Sequence, residues 1–284
     1  MVEEERIESE FSPDPVEITL KSGENIRVEF QDIDVQLLDM MKLDNDRKPA
    51  RVARISYGRL FTEEQGRTEE QDVALARYLL WHRHTSPFEN IEFLFLVHVP
   101  LFVARQMHRH RTASINEVSR RYTTQGLSMF NFELRTKDTT VTKQGSGNVI
   151  LYADPQFKEH YDKAYDLARE SIELYFDLID RGVAPETARQ FLPQHMMTTF
   201  TFKMDLHNLF HFLDLRLDSH AQKEIRIVAQ KMLNLISEKI PKLTQIFMDY
   251  RKMKDAFMEV GYEWFKQGMA EEFVLQLKEK MRVD

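Results

Sequence analysis

The 284-residue sequence contains no cysteine, which excludes disulfide bonds, thiolate metal sites and a cysteine nucleophile. Glycine is scarce, with nine residues, and none of them forms a Rossmann or Walker phosphate loop. Residues 145–147 read Gly-Ser-Gly but lack the third glycine and a preceding strand. No apolar run approaches the roughly 18 residues of a membrane-spanning helix. The sequence therefore predicts no membrane contact and no glycine-rich nucleotide loop.

A secretory signal is also missing from the start of the sequence. Residues 1–6 are acidic and lack an apolar segment, so we expect a cytoplasmic protein. Hydrophobic residues make up 42% of the chain and include 20 Phe, enough for a substantial core. Acidic side chains outnumber basic ones by 46 to 39, a net charge of −7.

Positive charge is nevertheless concentrated in one stretch of this acidic chain. Residues 105–122 hold five Arg and two His but a single carboxylate. Because guanidinium groups match phosphate and carboxylate, this cluster predicts one bound anion. A nucleic-acid surface would more often make the whole domain basic. On a helix predicted over 101–111, Arg105 and Arg109 would share a face. The alternative is a solvated basic helix end, which the helix dipole favours.

Hydrophobic periodicity predicts an α+β fold, mostly helical, in a single domain with a small antiparallel sheet. We expect boundaries at 1–30 for an N-terminal extension with a β-hairpin, 31–245 for the main domain and 246–284 for a helical tail. The predicted elements of the first half are a hairpin over 16–30, helices over 70–84 and 101–111, a strand over 91–99 and a mobile loop over 136–150. Those of the second half are a long helix with Asp154 as N-cap and Pro155 at its first position, stopped by Gly182, a short helix that starts at Pro185 and is ended by Pro193, a strand over 196–204, and helices over 205–217, 219–239 and the tail.

Several side chains allow more than one interpretation. His207 and His211 are four apart on a predicted helix, and His82 and His84 flank a helix end, as in some zinc sites. No third ligand is evident, so helix-face or cofactor-contacting histidines are favoured and no metal is expected. Ser119 lacks a nucleophile elbow and a base, which favours a hydroxyl ligand over a nucleophile. Arg189 and Arg216 lie in apolar stretches, where either a structural ion pair or a buried anion is possible.

The ordered motifs resemble those of the flavin-dependent thymidylate synthases. Arg109-His110-Arg111, followed by seven residues and then Ser119, matches the family signature. The resemblance runs from about residue 50 to 240. Its further motifs are Ala53-Arg54-Ile55-Ser56, His84-Thr85-Ser86-Pro87-Phe88-Glu89, Phe102-Val103-Ala104-Arg105-Gln106, Asn116-Glu117-Val118-Ser119-Arg120-Arg121-Tyr122, Ala188-Arg189 and Leu215-Arg216-Leu217-Asp218-Ser219-His220-Ala221-Gln222.

The resemblance implies methylation of dUMP to dTMP, with methylenetetrahydrofolate as the carbon donor and FAD, reduced by NADPH, as the source of hydride. The absence of cysteine agrees, because the unrelated class of thymidylate synthases needs a cysteine nucleophile. The resemblance also implies a homotetramer whose sites combine residues from several subunits. A partner nucleic acid is not expected. The alternative is a non-catalytic nucleotide or nucleic-acid binding protein that uses the same basic residues.

Site residues follow from the resemblance by position. Arg216 would be catalytic, stabilising the ionised uracil ring nitrogen as a fixed cation. The family often has glycine where this chain has Arg120. The resemblance therefore implies that the backbone of Arg120, and not its side chain, binds dUMP. The dUMP-binding set would be Gln106, Arg109, Glu117, Ser119, Arg120, Arg121, Arg189 and Arg216. The FAD-binding set would be Ser56, His84, Ser86, Arg109, His110, Arg111, Glu117, Asp205, His207 and His211.

Overall fold

The computed structural model describes residues 12–41, 46–58, 67–137 and 145–280. The strands are β1 (Val16–Thr19), β2 (Asn25–Gln31), β3 (Asp34–Met40), β4 (Glu92–Pro100), β5 (Ser114–Glu117), β6 (Ser128–Phe130), β7 (Leu134–Lys137), β8 (Ser146–Ile150) and β9 (Met197–Asp205). The helices are α1 (Lys48–Ile55), α2 (Glu69–Trp81), α3 (Leu101–Met107), α4 (Lys158–Asp180), α5 (Pro185–Ala188), α6 (Leu206–Arg216), α7 (Lys223–Ser237), α8 (Pro241–Lys266) and α9 (Ala270–Lys280).

The chain divides into two compact units, one formed by residues 1–41 and 91–235, the other by 42–90 and 236–284. The α+β class is confirmed, since long helices accompany small, mainly antiparallel sheets. None of the described helices is both long and apolar enough to cross a membrane. The domain boundaries drawn at residues 30 and 245 stay predictions.

A four-stranded antiparallel sheet with the order β3-β4-β9-β5 forms the centre of the first unit. Alternate residues of β4 point into the core, so that Phe93, Phe95, Val97 and Val99 are fully buried. Their period of two is the signature of a strand with one buried face. The predicted strand over 91–99 is thereby confirmed, and so is the strand over 196–204, which pairs with β4 along its whole length.

The predicted hairpin is confirmed as β1 paired with β2. It packs on α4, where Val16 and Val28 share a buried cluster with Ile172 and Phe176. β6 extends this pair as a parallel strand beside β2. The long helix α4 begins at Lys158, later than a cap at Asp154 would place it. It ends as predicted, because Gly182 adopts the left-handed φ of +86° that glycine tolerates best.

Two predictions are wrong because strands pair with partners that the local sequence does not reveal. The helix over 101–111 ends at Met107, four residues early, because the chain must turn before β5 pairs with β9. The region 136–150 is not a loop throughout, because β7 and β8 pair as antiparallel strands around it. Residues 138–144 of that region lie outside the described ranges. Local threonine and glycine content gave no sign of either pairing.

The second unit contains α1, α2, α8 and α9. Thr68 and Gln71 form a reciprocal capping box at the start of α2, which satisfies two otherwise unpaired backbone donors. Asp72, fully buried in the first turn, accepts hydrogen bonds from Arg47 at 2.7 Å and from Arg54. This triad ties α1 to α2. The predicted helical tail is confirmed as α8 and α9, up to Lys280.

Candidate active site

The basic stretch includes the turn between α3 and β5, residues 108–113, which we call the basic turn. Buried Val103, Ala104 and Met107 anchor α3 to the core. The chain then tightens, as the backbone N–H groups of Arg109 and His110 donate to the carbonyls of residues 106 and 107. Arg109 is therefore outside the helix, and its predicted sharing of a helical face with Arg105 is wrong. The turn instead presents Arg109, His110 and Arg111 in succession.

Arg216 reaches this turn from the last residue of α6. Asp205 caps the start of α6 by accepting from the backbone N–H of Asn208 at 2.9 Å. Buried Phe212 and Leu213 hold the helix against the core. The Nε of Arg216 donates to Nε2 of His110 at 3.1 Å. Two elements 106 residues apart in sequence thus meet.

Positively charged side chains lie close to both His110 and Arg216. Burial, followed by repulsion from Arg216 and His211, lowers the pKa of His110 to about 4. Burial and repulsion from Arg109 also lower the pKa of Arg216. The His110 ring is therefore neutral at pH 7, which suits its role as an acceptor. A bound anion would relieve the repulsion among the remaining charges.

Several arginines among the site candidates have no carboxylate partner. Within the described ranges, no carboxylate lies within the 4.0 Å ion-pair distance of five of them, which are Arg105, Arg109, Arg111, Arg189 and Arg216. The structural ion pair considered for Arg189 and Arg216 is thus not found there. Arg216 faces a neutral histidine, and Arg109 and Arg111 are exposed beside it in sequence on the same turn, so this group of cations suits an anionic ligand.

Glu117 is the only carboxylate in the basic stretch, and a hydrogen bond from one side chain holds it in place. Thr198, buried on β9, donates its hydroxyl to Glu117 Oε1 at 2.7 Å. His108 Nε2 lies 3.9 Å from Glu117 Oε2. Thr198 is 81 residues away and meets Glu117 only because β5 pairs with β9, so the sequence carries no local signal of this contact.

Three successive site candidates follow Val118 in different environments. Ser119 Oγ accepts from the backbone N–H of Arg121 at 3.3 Å, and in the part of the chain that the structure describes no base contacts it. Arg120 is buried and donates to the carbonyls of Gln125 and Gly126 at 2.6 and 2.8 Å. Its side chain thus braces the loop. Arg121 is exposed, 3.7 Å from Glu186.

The remaining candidates of the first unit are spread over three elements. Gln106 on α3 donates to the side chain of Gln222 at 2.7 Å. Arg189 is exposed in the 3₁₀ turn after α5. His207 and His211 lie on α6, and His211 is exposed. Among described residues, no group of three His, Cys, Asp or Glu could hold a metal ion.

The candidates of the second unit lie at helix ends. Ser56 is the exposed C-cap of α1. His84 follows α2 and stacks on Tyr78 with ring centroids 6.4 Å apart. The carbonyl of Ser86 accepts from the side chain of Asn90 at 3.0 Å. All three present exposed polar groups.

The chain is similar to known proteins over most of its length. The family model described as thymidylate synthase complementing protein matches residues 36–242. The flavin-dependent thymidylate synthase of Thermus thermophilus is 42% identical over 207 residues, covering 73% of this chain and 72% of the relative. That of Wolbachia pipientis is 39% identical over 237 residues, covering 81% and 78%.

A solved structure is similar as well. The UMP/dUMP methylase PolB from Streptomyces cacaoi, bound with 5-Br dUMP, superimposes with a TM-score of 0.68 at 30% identity. The match covers 78% of this chain and 96% of PolB. The family match over residues 36–242 includes the basic turn and Arg216. The chain belongs to the flavin-dependent thymidylate synthase family.

Proposed function

We propose that the chain converts dUMP to dTMP with methylenetetrahydrofolate as the carbon donor, using FAD that NADPH reduces. The observation that supports this most is the Arg109–His110–Arg216 cluster, which lacks any described carboxylate partner. dUMP is dianionic at its phosphate and gains charge on its ring when the ring nitrogen ionises. Both charges suit fixed guanidinium groups in a water-poor pocket.

The candidate dUMP-binding residues would each have a different role. Arg189 and Arg121 are exposed and can swing onto the phosphate. Ser119 offers a hydroxyl for binding, with no base to make it a nucleophile. The side chain of Arg120 stabilises the loop at Gln125 and Gly126, so its backbone is the part that would contact the ligand. Gln106 and Glu117, each held by a neighbouring side chain, supply oriented polar groups.

Arg216 has the environment that a catalytic cation requires. It is half-buried, has no described carboxylate partner, and is fixed to a neutral acceptor rather than an anion. A guanidinium that is not neutralised by the protein keeps its full charge for the developing uracil anion. Such preorganised charge is worth far more in a site that excludes water than in bulk solvent.

The described residues also fit FAD, although no glycine-rich cradle is present. The pyrophosphate of FAD carries two negative charges, and Arg109 and Arg111 are free to bind them. Ser56, His84, Ser86, Glu117, Asp205, His207 and His211 would complete the contacts, with His110 beside them. FAD, when bound, supplies the hydride chemistry that no side chain can. The protein's part is to hold the pyrimidine, exclude water and stabilise charge.

A homotetramer with shared sites would explain how these partial binding surfaces make complete ones. Candidate residues lie in both units, and none of the described elements forms a self-contained dinucleotide fold. The family resemblance supports this assembly. We therefore propose that FAD, dUMP, NADPH and folate bind at sites built from more than one subunit, in the cytoplasm.

Absorbance spectroscopy tests the proposed function directly. We expect the purified protein to be yellow, with stoichiometric FAD, to sediment as a tetramer and to change its flavin spectrum when dUMP is added. A folded, colourless monomer that cannot be reconstituted with FAD would overturn the proposal. It would support a non-catalytic nucleotide or nucleic-acid binding protein instead.

Replacing Ser119 with alanine is expected to weaken dUMP binding yet leave measurable dTMP formation. The hydroxyl contributes one hydrogen bond to a charged ligand, roughly 1.5–3 kcal/mol or about a 10- to 100-fold loss of affinity. Titration of the flavin spectrum with dUMP measures the affinity, and Ser22→Ala in the β1–β2 turn is the matched control. A Ser119–nucleotide adduct in the mass spectrum of the intact protein would refute this role.

A further inference from the structure

We propose that His110 is a positioning residue for Arg216, holding its guanidinium in place through the hydrogen bond from Arg216 Nε to His110 Nε2. The family resemblance counts His110 only among the FAD contacts. The proposal rests on the proposed function, because it assumes that Arg216 is the catalytic cation. It adds a role that acts through Arg216 and not through the flavin.

The restraints on Arg216 make this bond the decisive one. The bond to His110 is 3.1 Å long, whereas the only other hydrogen bond of Arg216 to a described residue, from Nη2 to the Gln106 carbonyl, is 3.5 Å. A 3.5 Å contact is too long to fix a side chain well. Arginine has a flexible stem with several rotatable bonds, so an unrestrained guanidinium would sample many positions. His110 therefore provides the best-formed hold on the charge.

His110 is itself well fixed. Its ring lies edge-on to Phe212, with centroids 4.8 Å apart, one turn before Arg216 on the same helix. Its backbone N–H donates to the Met107 carbonyl at 2.9 Å, and its carbonyl accepts from Ala113 at 3.2 Å. The ring, its backbone and the helix that carries Arg216 thus form one rigid arrangement.

The acceptor role determines the chemical form of His110. An Nε2 that accepts a hydrogen bond carries no proton, so the ring is neutral with its proton on Nδ1. The surroundings favour this form, since burial, followed by repulsion from Arg216 and His211, lowers the pKa of His110. A carboxylate at this place would hold Arg216 more tightly but would neutralise it. A neutral acceptor orients the cation and leaves its charge available to the substrate.

The test compares two replacements of His110 in the flavin-loaded enzyme. We expect His110→Leu, which keeps bulk but loses the acceptor, to lower kcat for dTMP formation about 10-fold, the loss of one charge-assisted hydrogen bond. This kcat is expressed per bound flavin, so that any lost flavin contact is counted separately, and KM for dUMP should change little. His110→Gln, whose amide oxygen can accept near the Nε2 position, should recover most of kcat. His160→Gln, exposed on α4, is the matched control and should behave as wild type.

A double-mutant cycle separates positioning from direct contact with the flavin. If His110 acts through Arg216, then His110→Leu should cost less than about 2-fold in an Arg216→Ala background. The proposal is overturned if the two effects multiply, or if His110→Leu loses FAD while kcat per bound flavin is unchanged. If the leucine variant does not fold, His110→Asn, whose amide is too short to reach, takes its place. A wild-type enzyme without dTMP formation would instead refute the proposed function.

Discussion

Replacing Arg216 with alanine is expected to slow dTMP formation about 100-fold or more. Removing one preorganised donor from a transition-state site typically costs about 3 kcal/mol. NADPH should still bleach the flavin, because reduction of FAD does not involve the uracil anion. Arg216→Lys should recover the rate only in part, since an ammonium lacks the planar fork of the guanidinium. Stopped-flow absorbance and product chromatography measure the two steps separately.

The control for this prediction is Arg181→Ala, an exposed arginine paired with Asp177 on α4. It should leave both steps unchanged. A purely structural Arg216 would give a different pattern, with a lower melting temperature and parallel losses of flavin content and turnover. Near wild-type dTMP formation by a folded Arg216→Ala enzyme would contradict the catalytic assignment.

Replacing Asp72 with asparagine is expected to lower the free energy of unfolding by about 3–5 kcal/mol, the usual cost of removing one partner from a buried ion pair. The Asp72 side chain is fully buried, and those of Arg47 and Arg54 are only 20% and 13% exposed. Without the carboxylate, two largely buried guanidinium groups would lose the anion that they share. Chemical denaturation monitored by circular dichroism measures the loss.

The matched control is Asp162→Asn, which breaks an exposed pair with Lys158 on α4. Exposed pairs of this kind contribute about 0–1 kcal/mol, so the control should change little. Equal effects of the two replacements would show that burial of Asp72 does not determine its contribution.

The sequence predicts the helices and strands that show a clear local period of hydrophobic residues. The hairpin β1–β2 and strand β4 show the alternation of a half-buried strand, and α2 shows a helical period. The basic residues stood out because they contrast with an acidic chain. The family motifs then assigned Arg216, which no local pattern distinguishes from a structural arginine.

Features governed by long-range pairing could not be predicted in this way. The early end of α3 follows from pairing of β5 with β9, whose residues are about 85 positions apart along the chain. The same pairing brings Thr198 to Glu117, and the packing of α6 brings Arg216 to His110. Each contact depends on where separate elements meet. A single sequence does not show which distant elements will contact each other.

Product analysis of the complete reaction tests the central claim most directly. The purified enzyme, loaded with FAD, is mixed with dUMP, methylenetetrahydrofolate and NADPH under anaerobic conditions, and the nucleotides are separated by chromatography. We predict that dTMP forms, that it requires all of these components, and that Arg216→Ala lowers its rate about 100-fold. A folded, flavin-loaded enzyme that leaves dUMP unchanged would contradict the account.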